Sequence, residues 1–237
     1  MNWTHDEWAA FGSVLSGAGT VLGAATVLIA AILGSKTYDS WRRQRLSERR
    51  IEQAERILTA TYKARRGLSM VRSIMMLPHE IDAAEESLKA SGEWDKIIGG
   101  QNEQHKFAVA QAYYNRLNST KDVRLALEEC QPMARALFGE RLETAIETLN
   151  RQFGTVQIYV DANLRERATG QSDLRKKINE AIFQGFPSAD ENEMDKTIAD
   201  QVKVIEDICV PVLQLGASNL VPTSKAAGQQ HKYGPFK

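Results

Sequence analysis

The residues of this sequence that are best suited to binding a ligand are arginines concentrated just after a long apolar stretch. They are Arg42, Arg43, Arg45, Arg49 and Arg50. Arg42, Arg45 and Arg49 share one face of a helix, because side chains three and four residues apart are neighbours there. A guanidinium face beside a bilayer binds anionic lipid headgroups, at about 1 kcal/mol for each basic residue near the surface. The same pattern also fits a topology signal on a solvated, ion-paired helix face, and both interpretations stay open.

The charge balance narrows the choice of partner for this basic segment. Thirty Lys and Arg equal thirty Asp and Glu, yet residues 35–76 hold eleven basic and only four acidic side chains. Proteins that bind nucleic acid usually add stacking aromatic side chains or a recognisable reader module, and the sequence shows neither. Membrane lipid is therefore the expected partner of the basic segment, and nucleic acid is not.

The acidic segment PHEIDAAEES, residues 78–87, brings a histidine close to four carboxylates and invites a metal-binding interpretation. The residue four after His79 is Ala83, so the pair of ligands in the H-E-x-x-H motif is absent. A proline followed by Glu80 and Asp82 is also an ordinary helix N-terminus, where carboxylates complement the helix dipole. We predict no metal site here.

No other motif in the sequence points to catalysis. The remaining histidines (His5, His105 and His231) are isolated, and the sequence has no nucleophile elbow, phosphate-binding loop or C-x-x-C pair. Cys130 and Cys209 lie in apolar helical contexts and are interpreted as small buried hydrophobic residues. We expect no catalytic residue, metal or cofactor. A membrane-bound enzyme whose site is assembled only by the fold is a third hypothesis.

A membrane-spanning helix is predicted over residues 8–34. This stretch of 27 residues contains no charged side chain. About 20 apolar residues suffice to cross a hydrocarbon core of about 30 Å. A cleaved signal peptide has a basic n-region and a shorter apolar core, whereas here the preceding flank contains Asp6 and Glu7. The span is therefore interpreted as an anchor that stays in the chain.

The orientation of the anchor follows from its flanks. Basic residues lie after the span and none before it, and positive residues stay on the cytoplasmic side. We expect residues 1–7 to be an extracytoplasmic tail and everything after Gly34 to be cytoplasmic. Aromatic residues at both ends (Trp3, Trp8, Tyr38 and Trp41) fit the aromatic belts of the two membrane interfaces.

Small residues recur along one face of the span. Gly12, Ser16, Thr20 and Ala24 recur every four residues, and Gly19 with Gly23 forms a G-x-x-x-G pair. The residues expected to pack are Gly12, Ser16, Gly19 and Gly23. Such a face lets two helix backbones approach closely and favours association in lipid. Self-association is one hypothesis, and an incidental richness in small residues is the other.

The rest of the chain has helical periodicity throughout, which predicts an all-α fold. We expect a long basic juxtamembrane helix of the coiled-coil kind over residues 35–76, a helical bundle over residues 77–215 that packs against part of residues 37–76, and a flexible tail over residues 216–237. Helices are predicted at residues 80–90, 103–117, 121–138 with either a break or the start of a fresh turn near Pro132, 140–167, 173–186 and 193–215.

The clearest periodic helix, residues 140–167, carries a stripe of apolar residues at alternating steps of three and four. Its members are Leu142, Ile146, Leu149, Phe153, Val156, Val160 and Leu164. The stripe is expected to face the bundle core, whereas Gln152, about 100° round the helix from Phe153, is expected on the polar surface.

These patterns name no family. The leading hypothesis is a single-pass membrane protein whose cytoplasmic helical domain is a membrane-tethered interaction or assembly module, binding lipids and an unidentified protein partner. The hypothesis from another class is an oligomerising, toxin-like or defence effector that perturbs the bilayer.

Overall fold

The computed structural model describes residues 5–165 and 172–220, with side chains described at position 12 and over residues 16–165 and 173–214. Within these ranges every regular element is helical, so the predicted all-α class is confirmed. The helices are α1 His5–Val71, α2 Pro78–Ala90, α3 Gln101–Ser119, α4 Lys121–Phe138, α5 Glu140–Arg165, α6 Ser172–Ile182 and α7 Glu193–Leu220, with a 3₁₀ turn at Trp94–Lys96.

Several element boundaries differ from the predicted ones. α1 ends at Val71 instead of residue 76, α6 ends at Ile182 instead of residue 186, and α7 extends to Leu220 instead of residue 215. The predicted end of α5 at residue 167 lies outside the described residues, as do residues 221–237 of the predicted tail. The predicted break near Pro132 is wrong, because α4 continues through it. Leu127, Cys130 and Ala134 are buried on both sides of the proline, and this packing keeps the helix intact despite one missing backbone donor.

The chain divides into two compact units, residues 1–49 and residues 50–237. This division falls inside the segment 35–76 that was expected to form one juxtamembrane helix. In the first unit the described chain is the N-terminal part of α1, whose described side chains are exposed. The second unit is a bundle that contains the C-terminal part of α1 and helices α2 to α7.

Helix α5 lies at the centre of the bundle and packs against α3, α4, α6 and α7. The predicted stripe of α5 is confirmed as core: its members from Leu142 to Val160 are buried, and Leu164 is half-buried. The expected surface position of Gln152 is wrong. Its side chain is only 9% exposed, and its amide donates a hydrogen bond of 2.9 Å to the carbonyl of Thr148. Because α5 is enclosed by neighbours on several sides, the buried surface is wider than the apolar stripe.

The C-terminal part of α1 contributes a second apolar face to the same core. Ala54, Ile57, Ala64 and Leu68 are all buried there. Gly67 marks the close approach of α1 to its neighbours, because a Cβ atom at this position would lie 3.3 Å from Thr120 Cγ2 and 3.6 Å from Phe153 Cζ. A small residue therefore lets α1 settle directly onto the centre of α5.

Candidate functional site

The apolar part of α1 is unburied along its whole described length. From Ser16 it contains a window of mean hydropathy 1.9 with no part buried in the protein, and by length and composition this helix could cross a membrane. Large side chains such as Leu22, Leu28 and Ile29 are each more than half exposed. A contiguous apolar surface of this size is rare on water-exposed proteins and marks an interaction with a membrane or a partner.

Several threonine and serine hydroxyl groups in this segment are satisfied within the helix itself. Thr20 donates to the carbonyl of Ser16 at 2.9 Å, Thr26 to that of Leu22 at 2.8 Å, and Ser35 to that of Ile32 at 3.2 Å. Hydrocarbon offers no water to a polar group, so a polar side chain within it needs a partner in the protein. These local hydrogen bonds are compatible with a lipid environment.

The small-residue face of the span has no partner within the described chain. Gly12, Ser16, Gly19 and Gly23 are all exposed. A Cβ atom built on any of the three glycines would meet nothing within 4 Å. The face is therefore open to a second helix.

The predicted basic face lies on the exposed surface of α1. Arg42, Arg43 and Arg49 are exposed and make no hydrogen bond or ion pair with the described part of the chain. Arg45 lies 5.6 Å from the ring centre of Trp41 and 3.5 Å from a carboxylate oxygen of Glu48. The N–H donors of Arg42, Arg43 and Arg49 are therefore available to an acceptor outside the described chain.

Two features flank that face. The rings of Tyr38 and Trp41 have centroids 6.2 Å apart and are both more than half exposed. Arg50, the last member of the predicted set, belongs to the second unit, where its guanidinium lies 5.4 Å from the ring centre of Phe138. Arg50 is therefore stacked on the bundle, unlike Arg42, Arg43 and Arg49.

Arg72, counted in the sequence as part of the basic segment, is in the core with 1% of its surface exposed. Its guanidinium pairs with the carboxylate of Asp195 and donates to the carbonyls of Ala181 at 2.9 Å and Glu180 at 2.8 Å. It also donates to the side-chain oxygen of Asn192 at 3.2 Å. Arg72 therefore ties the end of α1 to α6 and to the start of α7, and it is occupied by structural contacts.

Asn192 completes this buried network and begins α7. Its side-chain oxygen accepts from the backbone N–H of Asp195 at 2.9 Å, the position of an N-terminal cap. Its amide donates to the carbonyls of Glu180, Phe183 and Phe186 at 2.8–3.1 Å. The segment between α6 and α7 is thus held from both sides.

A second buried arginine, Arg116 of α3, organises the turn between α1 and α2. Its guanidinium binds both carboxylate oxygens of Glu80 at 2.7–2.8 Å and donates to the carbonyls of Ser73 at 2.9 Å and Met75 at 2.7 Å. Glu80 also accepts from the backbone N–H of Leu77 at 2.8 Å. The hydrogen bonds from Arg116 are the main reason that the pKa of Glu80 falls to about 2, against an ordinary 4.5. The acidic segment that suggested a metal site thus supplies a structural ion pair.

Sequence reasoning missed both buried arginines. The available signal was their phase: Arg72 lies one helical turn after the buried Leu68, and Arg116 lies three residues after the buried Tyr113. An arginine in phase with an apolar stripe is placed toward the core, where it needs a full set of acceptors.

The two cysteines are both buried in the core. Burial raises the pKa of the Cys209 thiol to about 11 and raises that of Cys130 as well. The thiolate is the nucleophilic form, so both groups are protonated and inert near neutral pH.

A groove of about 930 Å³ runs beside the Arg72 network, between the end of α1 and the start of α7. Arg65 and Arg66 line one wall, and Asp190 and Asp200 line the other. The most buried polar groups in it, Arg72 and Asp195, are already bonded to each other.

No family model, curated protein or solved structure matches this chain, so functional inference rests on the geometry above.

Proposed function

We propose that this chain is a single-pass membrane protein. Residues 8–34 form the span, residues 1–7 lie outside, and the bundle is a cytoplasmic, membrane-tethered interaction or assembly module without catalytic activity. The observation that carries the proposal is the continuity of α1: an apolar, unburied segment leads directly into an exposed segment whose Arg42, Arg43 and Arg49 have no partner in the described chain.

The basic face is proposed to bind anionic phospholipid headgroups of the cytoplasmic leaflet. Exposed guanidinium groups beside the aromatic pair of Tyr38 and Trp41 combine a charged contact with rings suited to the membrane interface. At about 1 kcal/mol for each basic residue, four arginines would contribute about 4 kcal/mol at low salt.

Vesicle flotation of a chain lacking residues 1–34 isolates the basic face from the anchor. We expect this fragment to float with vesicles of mixed phosphatidylcholine and phosphatidylserine in low salt. It should not float with vesicles of pure phosphatidylcholine, nor with the mixed vesicles in high salt. Replacing Arg42, Arg43, Arg45 and Arg49 by Gln should abolish flotation.

A matched control removes four exposed basic residues of the bundle, Lys121, Arg135, Arg141 and Arg151, in the same way. This control should float like the parent fragment. Equal flotation of the two quadruple variants would contradict a lipid role for the basic face.

A protein-binding role of the bundle is supported by the turn between α1 and α2. Ile74 and Met75 there are 61% and 71% exposed, while Arg116 holds the carbonyls on both sides. Apolar side chains displayed on a fixed backbone suit recognition, because little conformational freedom is lost on binding.

A second candidate function, an oligomerising effector that perturbs the bilayer, is favoured by the open small-residue face. In this case Gly19→Ile and Gly23→Ile should each reduce self-association of the full chain in vesicles and the release of a trapped dye. Gly17→Ile is the control, because Gly17 is equally open but lies about 120° or more round the helix from Gly19 and Gly23. If the vesicles release no dye at any protein density, the effector function is contradicted and the tethered module remains the proposed function.

A further inference from the structure

The groove of about 930 Å³ beside the Arg72 network lies within the bundle, between the end of α1 and the start of α7. Its floor is closed: Leu68 and Ile198 are each less than 10% exposed, and the guanidinium of Arg72 is paired with the carboxylate of Asp195. The polar groups of the floor are therefore used inside the protein, and a partner of the groove must be bound by its walls.

The two walls carry charges of opposite sign that are not paired with each other. Arg65 and Arg66 of α1 are exposed on one wall, and Asp190 and Asp200 are exposed on the other. None of these four side chains makes a hydrogen bond or ion pair with the described part of the chain. Each wall thus offers two uncompensated charges of one sign.

Two further residues complete the walls. Tyr62 on the α1 wall is 44% exposed, and its hydroxyl donates to a carboxylate oxygen of Glu206 at 2.9 Å. An aromatic ring held in one position suits a protein interface, because it buries a large area and loses little conformational freedom. Lys196 on the α7 wall is paired with Glu193 at 2.8 Å, so this pair adds no net charge to the acidic wall.

We propose that this groove is a self-association surface whose occupant is a second copy of this chain. In a two-fold symmetric dimer the same surface is used on both copies, so the basic wall of each copy faces the acidic wall of the other. A groove with two uncompensated walls of opposite sign is self-complementary under this symmetry. The inference rests on the assembly role proposed for the bundle and names its partner.

A small zwitterion also matches walls of opposite sign, but the exposure of the charges favours a protein. Exposed charge contacts are individually weak and are screened by salt. A small ligand makes only a few of them, whereas a symmetric dimer makes each contact twice and buries the tyrosine on the α1 wall as well.

Charge reversal with cross-rescue tests the proposal in the full chain. Energy transfer is measured between copies that carry a donor or an acceptor fluorescent protein at the C-terminus, in neutral detergent at a series of protein concentrations. The basic-wall variant is Arg65→Glu with Arg66→Glu, and the acidic-wall variant is Asp190→Lys with Asp200→Lys. Each should raise the concentration for half-maximal transfer about tenfold or more, because like charges then face each other across the dimer.

An equimolar mixture of the two wall variants should associate like the parent, because a mixed dimer again has opposite charges at both contacts. The control, Lys121→Glu with Arg141→Glu, makes the same change in net charge as the basic-wall variant at exposed positions outside the groove and should associate like the parent. Circular dichroism checks that each variant is folded. Arg65→Gln with Arg66→Gln replaces the basic-wall variant if that variant does not fold, and it should weaken association in the same direction.

The proposal is overturned if the parent shows no concentration-dependent transfer, or if folded wall variants associate like the parent. It is also overturned if the mixture of the two wall variants associates no better than either variant alone. Association through the membrane span alone would leave both wall variants unchanged. Flotation of the full chain with phosphatidylcholine vesicles tests the membrane tether separately, so a failure of the tether and a failure of self-association are distinguishable.

Discussion

At the scale of single residues, two arginines of the basic segment 35–76 have opposite surroundings. Arg42 is exposed and has no partner in the described chain, whereas Arg72 is buried and bonded to acceptors from α6, α7 and the segment between them. A buried charge is tolerated only with a full set of partners. The partners of Arg72 and Arg116 lie 123 and 36 residues away along the chain, at Asp195 and Glu80. No local sequence pattern could have identified them.

The Glu80 ion pair predicts a specific dependence of stability on pH. The pKa of Glu80 is about 2 in the folded protein, below its ordinary 4.5, so the pair stabilises the fold above about pH 4.5 and this contribution is lost as the pH falls toward 2. With about a quarter of the side chain exposed, we expect a contribution of about 2–3 kcal/mol. Chemical denaturation of the full chain at several pH values measures it.

The control for this prediction is Glu80→Gln, which keeps the shape but removes the titration. The difference in unfolding free energy between the parent chain and Glu80→Gln should shrink as the pH falls from 6 to 3. A difference that stays constant over this interval would show that the ion pair with Arg116 contributes no pH-dependent stability.

At the scale of helices, the apolar periodicity predicted the buried side of α5 more accurately than the sequence predicted the ends of the helices. The stripe of α5 was predicted correctly from Leu142 to Val160, because apolar residues at steps of three and four can bury their surface only along one side of a helix. The ends of α1, α6 and α7 were misplaced by four or five residues. At the ends of α1 and α6, the tertiary contacts of Arg72, Arg116 and Asn192 decide where the backbone leaves the helix.

Phe153 lies in the middle of this stripe and is fully buried against Gly67 of α1. Phe153→Ala should therefore lower the unfolding free energy by about 3–5 kcal/mol. Gln157→Ala, an exposed position one helical turn later, should change it by no more than about 0.5 kcal/mol. Thermal or urea denaturation of both variants tests the contrast, and equal stabilities would place the stripe of α5 on the surface.

At the scale of the whole molecule, the chain consists of an exposed apolar helix segment and a bundle with its own core, assigned to two units that meet in sequence between Arg49 and Arg50. The bundle buries its apolar stripes within itself, whereas the first unit buries none of its apolar window. This contrast is expected when the two parts occupy different solvents, hydrocarbon for one and water for the other.

The proposed topology predicts the outcome of reporter fusions. A C-terminal phosphatase that is active only after export should stay inactive, and a C-terminal fluorescent protein should fluoresce, because the basic flank after the span is retained inside. The intact mass of the chain extracted from membranes should include residues 1–34. An active phosphatase would reverse the orientation, and a mass lacking the N-terminal segment would identify a cleaved signal sequence.

The sequence by itself determined the helical class, the apolar segment without charges and the core stripe of α5, because each depends on the order of neighbouring side chains within 30 residues or fewer. The tertiary structure alone decided which partners satisfy the buried arginines: Arg72 bonds to Asp195 and Arg116 to Glu80, both remote along the chain. It also decided where α1 joins the bundle, at Gly67 beside Phe153, and where a groove opens between α1 and α7. The physical reason is that burial and hydrogen-bond satisfaction depend on which elements pack together, and periodicity indicates only which side of a helix is available for packing.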